Sequence, residues 1–305
     1  MKILLLGANG QVGFELARSL APLGELHVAT RTGSERVAAV DLANPETLDA
    51  ALHAVQPDIV VNAAAYTAVD RAEDEENLAD RVNHWALLVL GAWAARTGAL
   101  VVHYSTDYVF DGLATLPYRE DDATAPLGVY GRTKLAGEEA LRQSGCRHFI
   151  FRTAWVYAAR GHNFLRTMLR LAGERAELRI VDDQRGAPTS AGLIASVTAQ
   201  ILAQWLRADV DARDAMLGTY HLCADGACSW YAFADALLDR AAIAKLIAKK
   251  PRVIPITSAD YPTRARRPAW SALDTGKLRS TFGLQLPPWQ QGLDAVMAEL
   301  AGAAG

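Results

Sequence analysis

The first thirteen residues constrain this chain more than any other stretch. Lys2 leads into the apolar run Ile3-Leu4-Leu5-Leu6, which stops at Gly7-Ala8-Asn9-Gly10-Gln11-Val12-Gly13. Residues 11–20 then carry apolar side chains at helical spacing. A strand that turns through glycines into a helix gathers backbone N–H groups at the positive end of that helix, where a pyrophosphate binds. Glycines there permit the tight turn, let the backbone approach the anion and let the helix pack close to the sheet. The spacing is GxxGxxG rather than GxGxxG, so the strand–turn–helix context at the start of the chain carries the reading. Gly7, Gly10, Gln11, Val12 and Gly13 are the expected dinucleotide contacts.

The alternation continues beyond the turn. Residues 26–30 read as a strand, and Asn44-Pro45 opens a helix with Asn as cap and Pro in the first turn. Residues 58–62 read as a strand, 77–97 as one long helix, 100–105 as a strand, 130–142 as a helix and 149–155 as a strand. Continuous apolar strands alternating with helices predict an α/β fold with a doubly wound parallel sheet of Rossmann type. After about residue 156 the rhythm changes. A strand at 177–181 runs into a polar loop, and helices follow at 193–206 and 230–245. Residues 251–268 carry four prolines and four arginines, too interrupted for a regular element. The expected organisation is a dinucleotide-binding domain over 1–155, with a later strand and helix returning to it. A smaller substrate lobe over 156–305 completes the chain, and its Ala-Gly tail is expected to fray.

Bulk composition narrows the partners. A hydrophobic content of 51% with 21% charged residues excludes a disordered chain. A net charge of −3 argues against a nucleic-acid binder, so an anionic ligand must be met by local cations. The N-terminal apolar run is too short for a signal peptide and residues 85–95 are too short to span a bilayer, so no membrane partner and a cytoplasmic location are expected. Cys146, Cys223 and Cys228 form neither a disulfide framework nor a CxxC pair and read as reduced, buried filler. The seven histidines are scattered singly and no metal site is expected.

Cofactor choice is read where the second strand ends, at Ala29-Thr30-Arg31-Thr32-Gly33-Ser34. NAD-preferring folds place a carboxylate there for the ribose 2′-hydroxyl; here Arg31 stands ready for a 2′-phosphate, which predicts NADPH, with NADH still possible. Asp41 and Leu42 are expected beside the adenine. The small residues Ala63, Ala64 and Ala65 let a cofactor pass over the end of a strand.

Tyr130-Gly131-Arg132-Thr133-Lys134 places a phenol and an ammonium on one helix face. A free tyrosine has a pKa near 10 and moves protons poorly at neutral pH; a nearby ammonium, with the positive nicotinamide, is expected to lower that value. Ser105-Thr106-Asp107, at the end of a strand upstream, supplies hydroxyls to polarise a carbonyl in the same pocket.

Together, residues 7–13, the stretch Val101-Val102-His103-Tyr104-Ser105-Thr106-Asp107-Tyr108-Val109-Phe110 and residues 130–134 resemble the extended short-chain dehydrogenase/reductases. More narrowly, residues 62–70, 151–157, 183–189 and Arg267-Pro268 resemble the dTDP-4-dehydrorhamnose reductase family, across nearly the whole chain. The resemblance implies reduction of the 4-keto group of a dTDP-sugar by a monomer or homodimer. Tyr130 would be the proton donor, Lys134 its tuning partner and ribose anchor, and Thr106 the hydroxyl on the carbonyl side. Tyr66, Thr67 and Tyr104 would line the cofactor. Asp107, Trp155, Gln184 and Arg267 would meet the sugar nucleotide, although Asp107 serves equally as a loop cap, Trp155 as core and Arg267 as solvated surface. Two alternatives stay open: an epimerase or dehydratase of the same superfamily, and a non-catalytic NADP-binding regulatory subunit. Family members often carry an acidic residue where Thr30-Arg31 stands here.

Overall fold

The computed structural model describes residues 1–35 and 37–304. The chain runs through β1 (Lys2–Leu6), α1 (Gln11–Leu20), β2 (Glu25–Thr30), β3 (Ala38–Ala39), α2 (Pro45–Val55) and β4 (Ile59–Asn62). It continues through α3 (Val69–Ala72), α4 (Glu76–Asp80), a π turn at Arg81–Trp85, α5 (Ala86–Thr97), β5 (Leu100–Thr106), α6 (Val129–Gln143) and β6 (Arg147–Thr153). Beyond these come β7 (Val156–Tyr157), α7 (Phe164–Glu174), β8 (Glu177–Val181), β9 (Arg185–Gly186), β10 (Thr189–Ser190), α8 (Ala191–Arg207) and α9 (Val210–Met216). The last elements are β11 (Gly218–His221), β12 (Cys228–Ser229), α10 (Trp230–Ile243), β13 (Arg252–Ile256), α11 (Gly276–Phe282) and α12 (Trp289–Ala304).

Seven strands form one sheet in the order β11-β6-β5-β4-β1-β2-β3, with every neighbouring pair parallel. Side chains alternate across it. Ile3, Leu5, Val61, Val102 and Phe149 pack with α1, α8 and α11, while Leu4, Leu6, Val60, Val101 and Ile150 pack with α2, α5 and α6. Burial on both faces is why these strands read as unbroken apolar runs. The order reverses at β1, so a crevice opens at the carboxyl ends of β1 and β4, where ligands of such sheets bind. A separate core of Leu165, Leu178, Phe233, Leu237 and Leu293 holds α7, β8, α10 and α12 together. All three cysteines are free and buried. No helix among the described residues is long and apolar enough to cross a membrane.

Four expectations need correction. The helix read over 77–97 is α4, the π turn and α5 in succession. The strand expected to reach Trp155 ends at Thr153, because Trp155 turns left-handed with φ of 48°. Residues 251–268 do contain a regular element: β13 pairs in parallel with β8, driven by Val253, Ile254 and Ile256, in a two-stranded sheet where Pro255 need not donate to a second neighbour. The tail expected to fray continues as helix to Ala304, anchored through Leu293, Val296 and Met297.

One buried ion pair ties the helix that carries the Tyr-Lys motif to its neighbouring strand. Glu138 on α6 accepts from Arg152 on β6, at 3.0 Å from Nε and 2.8 Å from Nη2, with both side chains almost wholly buried. Burial would raise the Glu138 carboxyl, but Arg152 holds it ionised and below its ordinary value. Arg152→Met leaves that buried carboxylate with only the half-exposed Arg142, 3.1 Å away, and is expected to cost about 3 kcal/mol in urea unfolding.

Candidate active site

A cleft of about 1030 Å³ runs along the carboxyl ends of β1, β4 and β5. Its floor begins at the glycine turn. Gly7 has a φ of 79°, left-handed backbone that suits glycine. A Cβ on Gly13 would stand 2.1 Å from the Gly7 carbonyl oxygen, so only glycine lets α1 sit this close to the turn. Gly10 caps α1 without a side-chain hydrogen bond, and no acidic residue occupies the first turn. The first-turn N–H groups therefore remain available to an anion. That cradle fits a dinucleotide pyrophosphate.

Gly7, Gly10, Gln11, Val12, Ala63, Ala64, Ala65, Tyr66 and Thr67 line the cleft at this end; Gly13 lies behind the wall it makes possible. Arg31, Asp41 and Leu42 line the far end. Arg31 is exposed and makes no ion pair among the described residues, leaving its charge free for a ligand. Asp41 holds its own loop, accepting from the Ala43 N–H at 3.0 Å.

Tyr130, Lys134, Thr106 and Tyr104 meet at the middle of the cleft. Gly131 is what brings α6 in: a Cβ there would lie 2.2 Å from the Tyr108 carbonyl oxygen. Lys134 is buried and donates to the Tyr104 carbonyl at 2.6 Å, with His103 Nε2 3.0 Å away. Burial lowers Lys134 to about 7, opposed only by the charge of Glu138. The Tyr130 residue is only partly covered, yet its hydroxyl is withdrawn from water and pushed up to about 12; contact with the Thr106 hydroxyl lowers it and the Asp107 charge raises it.

Burial of the phenol itself sets the direction here, and the lowering expected from Lys134 together with the positive nicotinamide concerns the cofactor-bound site. A raised value keeps the phenol protonated at neutral pH, the state a proton donor needs. The Thr106 hydroxyl donates to Asp107 at 3.0 Å and accepts from the Tyr108 N–H at 3.1 Å. Its proton is committed to the carboxylate, so Tyr130 is the better placed donor.

On the remaining wall the cleft is lined by Asp107 and Trp155. Trp155 stacks on Trp230 of α10, with ring centroids 3.5 Å apart and planes 4° from parallel. Gln184 and Arg267 do not line the cleft. Gln184 donates to Ser258 at 2.9 Å. Arg267 forms a two-pronged pair with Asp70 of α3, at 2.6 and 3.1 Å, fastening the proline-rich segment to the first sheet's loops.

Sequence reasoning missed Asn83, His103, Asn163 and Trp230. Asn83 sits in the π turn, accepts from the Tyr66 N–H at 2.9 Å and donates to the Tyr66 carbonyl and to Thr133, so it fixes the loop beside the cofactor floor. A polar residue on the buried face of a helical run was its one signal. Asn163 caps α7 and donates to Gln11 Oε1 at 2.7 Å, linking α7 to the helix that follows the glycine turn.

A glycine cradle at the switch point, with a Tyr-Lys pair at the end of the fifth strand, defines a dinucleotide-dependent oxidoreductase of the short-chain dehydrogenase/reductase class. The family model described as RmlD substrate binding domain matches residues 1–301. dTDP-4-dehydrorhamnose reductases of Escherichia coli (strain K12) and Burkholderia thailandensis are 47% and 49% identical to the chain, with 98% of it covered in each case and 98% and 99% of those proteins. The chain therefore belongs to the dTDP-4-dehydrorhamnose reductase family. A Bacillus anthracis dTDP-4-dehydrorhamnose reductase crystallised with NADP superposes with a TM-score of 0.85 at 31% identity, over 98% of this chain and 99% of that one.

Asp107 makes the site sensitive to pH. Burial raises its carboxyl from 3.8 to about 6, against hydrogen bonds from Ser271 and Thr106 that lower it. The folded protein then holds this proton more tightly than the unfolded chain, so the group costs stability above pH 6 and ceases to do so as pH falls toward 4. Asp107→Asn is expected to be more stable than the parent at pH 8 by on the order of 2 kcal/mol, with the gain shrinking as pH falls toward 4. Thermal unfolding across that range measures it.

Proposed function

We propose that the chain is a cytoplasmic enzyme that reduces the 4-keto group of dTDP-4-dehydro-L-rhamnose to dTDP-L-rhamnose with NADPH. Residues 1–155 hold the dinucleotide, and the lobe built after residue 156 closes on the sugar nucleotide. The observation that carries this reading is Tyr130, its hydroxyl against Thr106 and one helical turn from Lys134, in the cleft that begins at the glycine turn. Relatives named for this reaction, at 45–49% identity, support the choice of substrate.

The nicotinamide supplies the hydride. Gln11 and Val12 receive the pyrophosphate on the free N–H groups of the first turn of α1, Gly7 and Gly10 shape the turn that brings it there, and Arg31 meets the 2′-phosphate. Lys134 anchors the nicotinamide ribose. Tyr130 gives its proton to the oxygen that becomes alkoxide, and Thr106, held by Asp107, positions that phenol. Trp155, stacked on Trp230, offers a flat apolar wall to the nucleotide-bound sugar.

Tyr130→Phe removes the proton and keeps the ring. It is expected to lower kcat by roughly 10²–10⁴-fold with little change in KM, read from NADPH absorbance with the 4-keto sugar nucleotide. Unchanged turnover would remove Tyr130 from the chemistry. Arg31→Ala deletes a charged contact to the 2′-phosphate and is expected to raise KM for NADPH about tenfold while leaving KM for NADH unmoved. Equal effects on both cofactors would place Arg31 outside the site.

A further inference from the structure

Lys134 sits at the end of a line of hydrogen bonds whose direction can be read from one fixed donor. The Ala64 backbone N–H can only donate, and it reaches the Asn62 side chain at 3.2 Å. The atom it meets is therefore Oδ1, which turns Asn62 Nδ2 toward His103 Nδ1, 3.2 Å away. An amide nitrogen donates, so Nδ1 must accept, and the proton of a neutral imidazole then lies on Nε2. His103 is buried, and that burial alone favours a neutral ring, held well below its ordinary pKa; a charged Lys134 would only push it further the same way. Nε2–H in turn faces Lys134 Nζ at 3.0 Å. An ammonium has no lone pair to receive that hydrogen; a neutral amine has one, and still has a proton for the Tyr104 carbonyl.

We propose that Asn62 and His103 form a polarised relay that holds Lys134 as the neutral amine in the cofactor-free enzyme, with His103 the positioning residue that sets the state of the lysine.

The surrounding charges permit it. Glu138, on the same helix, is the carboxylate whose field favours the ammonium, and it is already bound by Arg152 and Arg142. Tyr130 is a protonated phenol, and Asp107 is occupied by the Thr106 hydroxyl. Burial acts in the same direction as the relay, taking Lys134 to about 7. The relay begins at Ala64, on the cofactor floor, so the dinucleotide site and the lysine share one hydrogen-bonded line.

This deepens the role given to Lys134 above, and its test is read on the cofactor-free protein, so it can fail while reductase turnover stands. Nitrogen NMR of protein labelled with ¹⁵N-histidine and ¹⁵N-lysine reports both groups directly. The expected result is a His103 ring protonated on Nε2 alone and a Lys134 that loses its proton near neutral pH, while the other lysines stay charged. His103→Gln can turn a carbonyl oxygen toward Nζ, and is expected to raise the Lys134 titration by about one unit or more, tenfold or more in proton affinity. An Nδ1–H tautomer in the parent protein overturns the proposal. So does a Lys134 that stays charged as its neighbours do, or a folded His103→Gln protein with an unmoved titration. Should that variant fail to fold, the two measurements on the parent protein decide.

Discussion

Water is kept away from the place where β4, β5 and β6 end against α6, and the chemistry of the cleft takes its character from that exclusion. Asn62, His103, Lys134, Glu138 and Arg152 are all almost fully buried there. In such surroundings each polar group must find a partner or give up its charge. Glu138 and Arg152 find each other. Lys134 and His103 drift toward neutrality, and the Tyr130 phenol keeps its proton. A reductase needs a protonated donor beside the carbonyl oxygen, and desolvation holds the phenol further in the state that an ordinary tyrosine already has at neutral pH.

The exclusion rests on close backbone approach. Gly131 lets α6 come against the Tyr108 carbonyl, Gly13 lets α1 come against the turn, and the π turn delivers Asn83 to both Tyr66 and Thr133. Local irregularity of this kind often marks a functional site, because it redirects a side chain that a regular helix would aim elsewhere.

Two bridges tie later segments of the chain to the elements around the first strands. Asn163 donates to Gln11, with Arg160 stacked over Phe14 nearby. Arg267 clasps Asp70, and Arg264 pairs with Asp74. Both bridges flank the cleft. Trp155, in a left-handed conformation, stacks on Trp230, so this wall of the cleft is built jointly by the loop after β6 and by α10.

The parallel sheet, the glycine turn and the Tyr-Lys helix face were legible in the sequence because each is a local matter: side-chain period, backbone permissiveness and residues four apart on a helix. So was the position of Arg31 and of the small residues after β4 along the cleft, since each follows at short range from the strand before it. What only the tertiary structure decided were the contacts between residues distant in the chain. Arg267 and Gln184 read as ligand contacts in isolation, and only the fold shows that each is bonded to a partner far away in sequence, Asp70 and Ser258. His103 reads as one more strand residue until Asn62 and Lys134 close around it. The direction of the pKa shifts was likewise beyond the sequence, since it depends on how much water is removed, and burial is a property of the folded whole rather than of neighbours along the chain.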